Sequence, residues 1–383
     1  MKIAQASWKG DAADIAPLAA LQPQLVLAFG SVGMLGAEGM FTRLTGAFPG
    51  ADLAGCSTAG EITARGVSDD TLVLTAIRFD GVRHRVAEAA VPAMDRSEAA
   101  GRAIGAALKG DGPGGERLAA ILLFGKGLDV NGSSLIEGVI AEVGAAVPVS
   151  GGLAGDGGAF KRTLTVTPSG IQADAVVGIG LYGAGLRIGH GSFGGWVPFG
   201  PARKVTRCSG NILHELDGLP ALNIYREYLG EYAKDLPASG LLFPFEMLDE
   251  SHASVGLIRT ILGIDEQTGS LVLAGDIDPD GHLRLMHAST DKLVDGAETA
   301  ARRIADTLGG TVGDGLGVLV SCVGRKLVMG DAVDEEIEAV AAVLGKSATL
   351  TGFYSYGEIA PFSTTTDCKL HNQTMTVTFI GET

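Results

Sequence analysis

No run in this 383-residue chain approaches the roughly 18 consecutive apolar residues of a membrane-spanning helix. The opening residues, MKIAQASWKG, lack the apolar stretch of a secretory signal. Cysteine is scarce: Cys56, Cys208, Cys322 and Cys368 are scattered, without CxxC spacing. A reduced, cytoplasmic setting is the simplest account. Basic residues are also in deficit, 29 Lys and Arg against 44 Asp and Glu, for a formal charge of −15. Such a chain lacks the basic surface that displaces counterions from nucleic acid, and it is a poor match to anionic lipid. The seven histidines form neither HExxH nor another zinc spacing. Nucleic-acid binding, a membrane span and a structural metal are therefore not expected.

Glycine is plentiful, 58 of 383 residues, about twice the usual share of about 7%. That excess favours tight turns and close backbone approach. With 46% hydrophobic residues the chain can fill a large core, and its length suits two or three domains.

The glycines fall in a pattern. Gly352-Phe353-Tyr354-Ser355-Tyr356-Gly357-Glu358 is echoed by Gly55-Cys56-Ser57-Thr58-Ala59-Gly60-Glu61 and, more weakly, by Ser150-Gly151-Gly152-Leu153-Ala154-Gly155-Asp156. Each turn ends in Gly followed by a carboxylate. Each comes after an apolar strand, a Gly-bearing loop, an amphipathic helix and a second apolar strand. Residues 25–30 and 120–125 end in glycines, and each lies 30 residues before its matching turn glycine; in the third copy the interval is 33. Recurrence of this kind marks repeated units. The expected class is α/β, mixed with α+β: repeated βαβ units with antiparallel hairpins, mixed sheets and internal duplication. Two units, about 25–95 and 118–185, fall in a domain of residues 1–217. A third, about 316–380, falls in a domain of residues 218–383. Residues 189–204 read as a connecting loop.

Ligands in open α/β sheets settle beyond the carboxyl ends of the strands. Glu61, Asp156 and Glu358 there could hold an ammonium group, with the amides around Gly60 and Gly152 holding a carboxylate. The same Gly-acid pair could instead cap free amides in a tight turn. Ser57, Tyr354, Ser355 and Tyr356 offer hydroxyls and flat faces, or core and solvent positions of a strand end. Arg325, placed in a loop after a strand, could clamp a carboxylate or lie solvated at the surface. Arg259, in an apolar strand, suits an internal ion pair. Cys56 beside Ser57 invites a hydrolase reading with Cys56 or Glu61, but the segment misses the G-x-S-x-G elbow by one position and no partner base can be named. A buried, inert Cys56 is the simpler account. His190 and His214 are candidate axial ligands should the protein hold haem, which needs one imidazole in an apolar pocket.

Two other motifs fail on context. Gly178-Ile179-Gly180-Leu181-Tyr182-Gly183 fits G-x-G-x-x-G but lies within a strand-like run. Asp276-Ile277-Asp278-Pro279-Asp280-Gly281 begins like a calcium loop, but the twelfth position is His287; it reads as a hairpin turn.

Taken in order, the chain resembles a FIST-domain protein over almost its whole length. Residues 25–215 resemble the family's N-terminal domain through Ala54–Glu61, Gly151–Asp156 and Ser209-Gly210-Asn211. Residues 220–365 resemble its C-terminal domain through Arg259-Thr260-Ile261-Leu262-Gly263, Cys322-Val323-Gly324-Arg325 and Gly352–Glu358. The resemblance implies an intracellular sensory module for a small ligand such as an amino acid; with no catalytic set to name, a non-enzymatic role is expected. Some relatives are similar to haem proteins that sense nitric oxide, and others are joined to kinase, cyclase or F-box partners. Here the expected output is a separate protein, such as a histidine kinase.

Overall fold

The computed structural model describes residues 1–310, 312–361 and 368–383. The strands Leu25–Gly30, Leu118–Gly125 and Gly315–Cys322 are almost wholly apolar and covered on both faces. Each runs parallel to the strand on the far side of its helices: Asp52–Ser57, Val149–Leu153 and Ala348–Ser355. The crossovers are the helices Val32–Leu35 and Met40–Ala47, then Gly132–Val143, then Val323–Met329 and Asp334–Leu344. The three expected units are thus three βαβ elements.

Strands exchanged between units close the molecule. After its turn, the first unit sends Glu61–Thr63 to pair antiparallel with Ala348–Ser355 of the third. The third sends Gly357–Pro361 to Val149–Leu153 of the second, and the second sends Thr165–Thr167 to Asp52–Ser57 of the first. Three six-stranded sheets result, each completed by a strand from a neighbouring unit.

Register fixes which residues correspond. Ile62 lies opposite Gly352, Ile359 opposite Gly151, and Val166 opposite Gly55. A Cβ on Gly55, Gly151 or Gly352 would run into the carbonyl oxygen of Ala28, Leu123 or Leu319, respectively, on the adjacent parallel strand. The glycines are therefore required by strand approach. The preceding residues, Glu61, Glu358 and Thr165, lie opposite Phe353, Gly152 and Cys56. Hence the second unit's counterpart of Glu61 and Glu358 is Thr165, not Asp156. A longer loop, residues 154–164, separates turn from strand there, and Asp156 belongs to that loop.

The units share one core. Phe29, Phe124 and Phe353 contact one another with ring centroids 4.8–6.0 Å apart. They sit among Leu27, Cys56, Val318 and Val320. Positions 56 and 152 carry small residues where the third unit carries Phe353, which leaves room for the ring. The centre is therefore filled by aromatic side chains, and any cavity must lie off this centre.

Residues 197–287 form a fourth, nine-stranded antiparallel layer, with the helix Ala221–Leu229 packed on it. A division at 217/218 falls inside this layer, between Ile212–Leu216 and its partner Leu219–Pro220. The strand Leu186–Phe193 pairs along its length with Met375–Glu382, so part of the supposed 189–204 loop is sheet. The segment 276–281 joins Ser270–Leu273 to His282–His287, which pair with other strands, so it is a connection and not a hairpin turn.

Candidate functional site

The turns meet through their backbones. Ala59 N donates to Tyr354 O at 2.8 Å and Tyr354 N to Gly60 O at 2.8 Å. Gly155 N donates to Ser57 O at 2.8 Å, and Tyr356 N to Leu153 O at 3.1 Å. Beside this junction opens a polar cleft of about 380 Å³, lined by Ser31, Thr58, Gly60, Glu61, Asp69, Asp70, Asp156 and Lys326, among others.

Glu61 forms its inner wall and is 1% exposed. It accepts from Thr58 Oγ1 at 2.5 Å, Thr71 N at 3.1 Å and Thr71 Oγ1 at 2.6 Å. Burial raises its carboxyl above the usual range, against these hydrogen bonds. Lys326 reaches in from the helix Val323–Met329; its Nζ donates to Ala59 O at 2.9 Å and to Asp69 at 2.5 Å. Asp156 accepts from the amides of Phe160, Lys161 and Arg162 and from the Tyr356 hydroxyl. Burial works to raise its pKa, but these donors outweigh it and hold the group below its ordinary value. The Tyr356 ring stacks on Phe160 at 4.3 Å, which ties the third turn to the Asp156 loop.

Among the described residues the cleft thus presents carboxylates on several sides and one ammonium donor. It can pair a ligand's ammonium with Asp69, Asp70 or Asp156 and a ligand's carboxylate with Lys326.

The structure distributes the other candidates differently. Ser57 Oγ donates to Gly155 O at 2.7 Å and accepts from Leu164 N at 2.8 Å, so it fastens two turns together. Gly152 is packed against Val320, and Cys56 is sealed in the core, where burial pushes its thiol well up. A nucleophile would need the thiolate, which this setting opposes. Ser355 and Glu358 are both enclosed: Ser355 Oγ donates to Glu358 at 2.7 Å, and Thr374 N and Oγ1 supply 3.1 and 3.0 Å bonds. Burial raises Glu358 to about 8.

Arg325 corrects the reading of a loop or surface residue. It lies in the helix Val323–Met329, fully buried, and pairs with Glu336 at 2.7 Å. Its other donors go to the carbonyls of Gly194 and Leu293. Tyr354 is buried too, its hydroxyl on the same Glu336 at 2.5 Å. Arg259 is held mainly by the carbonyls of Asp276, Ile258 and Leu370, not by the ion pair its apolar strand suggested. His190 lies on the strand Leu186–Phe193, its imidazole pushed down to about 4 by burial, and His214 on Ile212–Leu216 of the fourth layer. Neither is among the described residues that line the polar cleft. Among the described residues no group of three or more His, Cys, Asp or Glu could hold a metal.

Sequence reading missed Lys326, Asp69 and Asp70. Asp69-Asp70 precedes an apolar strand in turn position, and Asp70 takes a left-handed φ of 56°. Lys326 adjoins Arg325, but nothing in the local pattern separates the buried cation from the one facing the cleft.

The model of the FIST N domain matches residues 24–219, and that of the FIST C domain residues 221–361. The chain belongs to the FIST family. FIST domains are associated with sensory signalling and ligand binding. A segment of 92 residues is 34% identical to an uncharacterized protein of Methanocaldococcus jannaschii; it spans 23% of this chain and 17% of that relative's length. Among solved structures, the cyanuric acid hydrolase from A. caulinodans aligns over 100% of this FIST chain and 98% of its own, at 9% identity and a TM-score of 0.41. The mixed α/β class of this FIST protein is evident from its own sheets. No helix among its described residues is long and apolar enough to cross a membrane.

Proposed function

We propose that this FIST protein is a cytoplasmic sensor of a small zwitterion, an amino acid or close relative, that signals through a separate partner such as a histidine kinase. One observation supports this reading above the rest: a polar cleft at the junction of the repeated turns sets Glu61, Asp69, Asp70 and Asp156 around a single Lys326. A ligand carboxylate would take the Lys326 ammonium from Asp69, and the ligand's own ammonium would replace it there. Both charges of the free site are thereby satisfied on binding. Lys326 stands one residue beyond Arg325, whose contacts to Glu336, Gly194 and Leu293 link this short helix to three other segments. A shift of that helix is the step a partner would read.

The test is a thermal-shift screen of the twenty amino acids beside their decarboxylated and deaminated analogues. Ligand that binds the folded state raises the melting temperature by mass action. The reading expects a shift with at least one amino acid and a smaller one with both analogues. No shift at millimolar concentrations would sink the amino-acid assignment.

A further inference from the structure

A second cleft, of about 200 Å³, is built from three elements. Ser192 and Phe193 line it from the strand Leu186–Phe193, Ile258 from the strand Ser254–Arg259, and Arg303 from the helix Thr290–Thr307. The charged end of Arg303 is fixed at this cleft: Nη1 donates to Ser192 O at 2.6 Å, and the guanidinium carbon lies 5.1 Å from the centroid of the Phe193 ring. Its neighbour Arg302 pairs with Glu298 along the helix. Arg303 makes no ion pair among the described residues, and its Nε and Nη2 take no hydrogen-bond partner there. The side chain is partly exposed. Nε and Nη2 form the edge of a guanidinium that grips a carboxylate side-on. Arg325 holds Glu336 by that same edge; on Arg303 the edge is empty.

The rest of the wall narrows the ligand. Ser192 is 7% exposed, and its hydroxyl keeps accessible surface without a hydrogen-bond partner among the described residues. The Thr374 hydroxyl, also at the cleft, is spent on Glu358 at 3.0 Å. No Asp or Glu is among the described lining residues, and Arg303 is the one Lys or Arg among them. A guanidinium only donates, and a serine hydroxyl can donate beside it, so the ligand must accept. One positive charge balances one negative charge, which favours a carboxylate over a phosphate of charge near −2. Phe193 and Ile258 give an apolar surface for the body that carries it. The volume is below the roughly 300 Å³ at which pockets for drug-sized molecules begin, so that body is small.

We infer that this cleft is a binding site for a small monocarboxylate with an apolar body. Its two oxygens accept from Nε and Nη2 of Arg303, and its body lies against Phe193 and Ile258. The inference stands apart from the reading of the polar cleft, because the two clefts share no described lining residue.

The experiment titrates the full chain with benzoate and with benzamide, which has the same shape but no charge, and follows calorimetric heat and melting temperature. Saturable one-to-one binding of benzoate is expected, with benzamide about tenfold weaker or worse, as the loss of a charge-assisted hydrogen bond dictates. Arg303→Met should weaken benzoate by a similar factor while its circular dichroism stays that of the unmutated chain. Should that variant not fold, Arg303→Gln, which keeps an amide donor but no charge, must show the same loss. Lys326→Met must bind benzoate as the unmutated chain does, because benzoate could otherwise be pairing with the lysine of the polar cleft. Absence of saturable benzoate binding at millimolar concentrations overturns the inference. So does equal binding of benzoate and benzamide, undiminished binding by folded Arg303→Met or by Arg303→Gln, or a loss of binding in Lys326→Met.

Discussion

Glu61 and Glu358 occupy the same place in two copies of one unit and are held alike. Each accepts from a hydroxyl three residues earlier, Thr58 or Ser355, and from the amide and hydroxyl of one threonine, Thr71 or Thr374. Glu61 nevertheless lines a polar cleft, whereas Glu358 is 0% exposed. The carboxylate's first task is thus architectural: it ties the turn to a threonine on another segment. Access to a ligand is a property of what surrounds the turn. At the first turn Asp69, Asp70, the Asp156 loop and Lys326 leave a gap. At the third, Thr374 bonds to the acid and the acid is fully enclosed.

The sharpest way to break this comparison is at the feature all three units share. Gly55→Ala, Gly151→Ala and Gly352→Ala should each lower stability by about 3–5 kcal/mol or prevent folding, because the added Cβ meets a backbone carbonyl that cannot move aside. Urea denaturation of the three variants would show it. Indifference at any one position would mean that the units are not built alike.

Neighbouring cations offer the next contrast. Arg325→Met leaves Glu336 without its partner in a fully buried site, and the expected loss is about 3–5 kcal/mol. Lys326→Met breaks a partly exposed pair with Asp69 and one hydrogen bond to Ala59 O, with an expected change of about 1 kcal/mol. Equal losses in equilibrium unfolding would contradict the assignment of Arg325 to structure and Lys326 to the cleft.

A smaller effect, shared by the two glutamates, is their dependence on pH. Burial raises Glu358 from 4.5 to about 8, so the folded chain binds a proton that the unfolded chain has released. Stability contributed by this group is therefore full below about 4.5 and is lost as pH rises to about 8. Glu358→Gln should flatten the fall in stability over that interval. Glu61 is also raised, and Glu61→Gln should act in the same direction. Unfolding free energies measured from pH 5 to 8 would check this; an unchanged slope for Glu358→Gln would show that the buried acid is ionised throughout.

Much of the architecture was legible because it is local. Uniformly apolar strands, helix periodicity and the recurring turn glycines mark three βαβ units. What was not legible is the exchange of strands between units, which depends on register between segments up to about three hundred residues apart. That exchange is why Asp156, adjacent to a glycine like the other two acids, is not their counterpart. Arg325 is interior for a separate non-local reason: its partners Glu336, Gly194 and Leu293 belong to other segments. The polar cleft was half legible. Gly60, Glu61 and Asp156 could be named from the turns, whereas Lys326, Asp69 and Asp70 reach it only through folding.

The central claim is that the first turn's cleft binds a zwitterion through its single lysine. Isothermal titration of the unmutated chain and of Lys326→Met with the amino acid that gives the largest thermal shift tests it most directly. Saturable one-to-one binding is expected, weakened about tenfold or more in the variant as a charged hydrogen bond is lost, with no change in fold by circular dichroism. Equal affinity in the two proteins would contradict it.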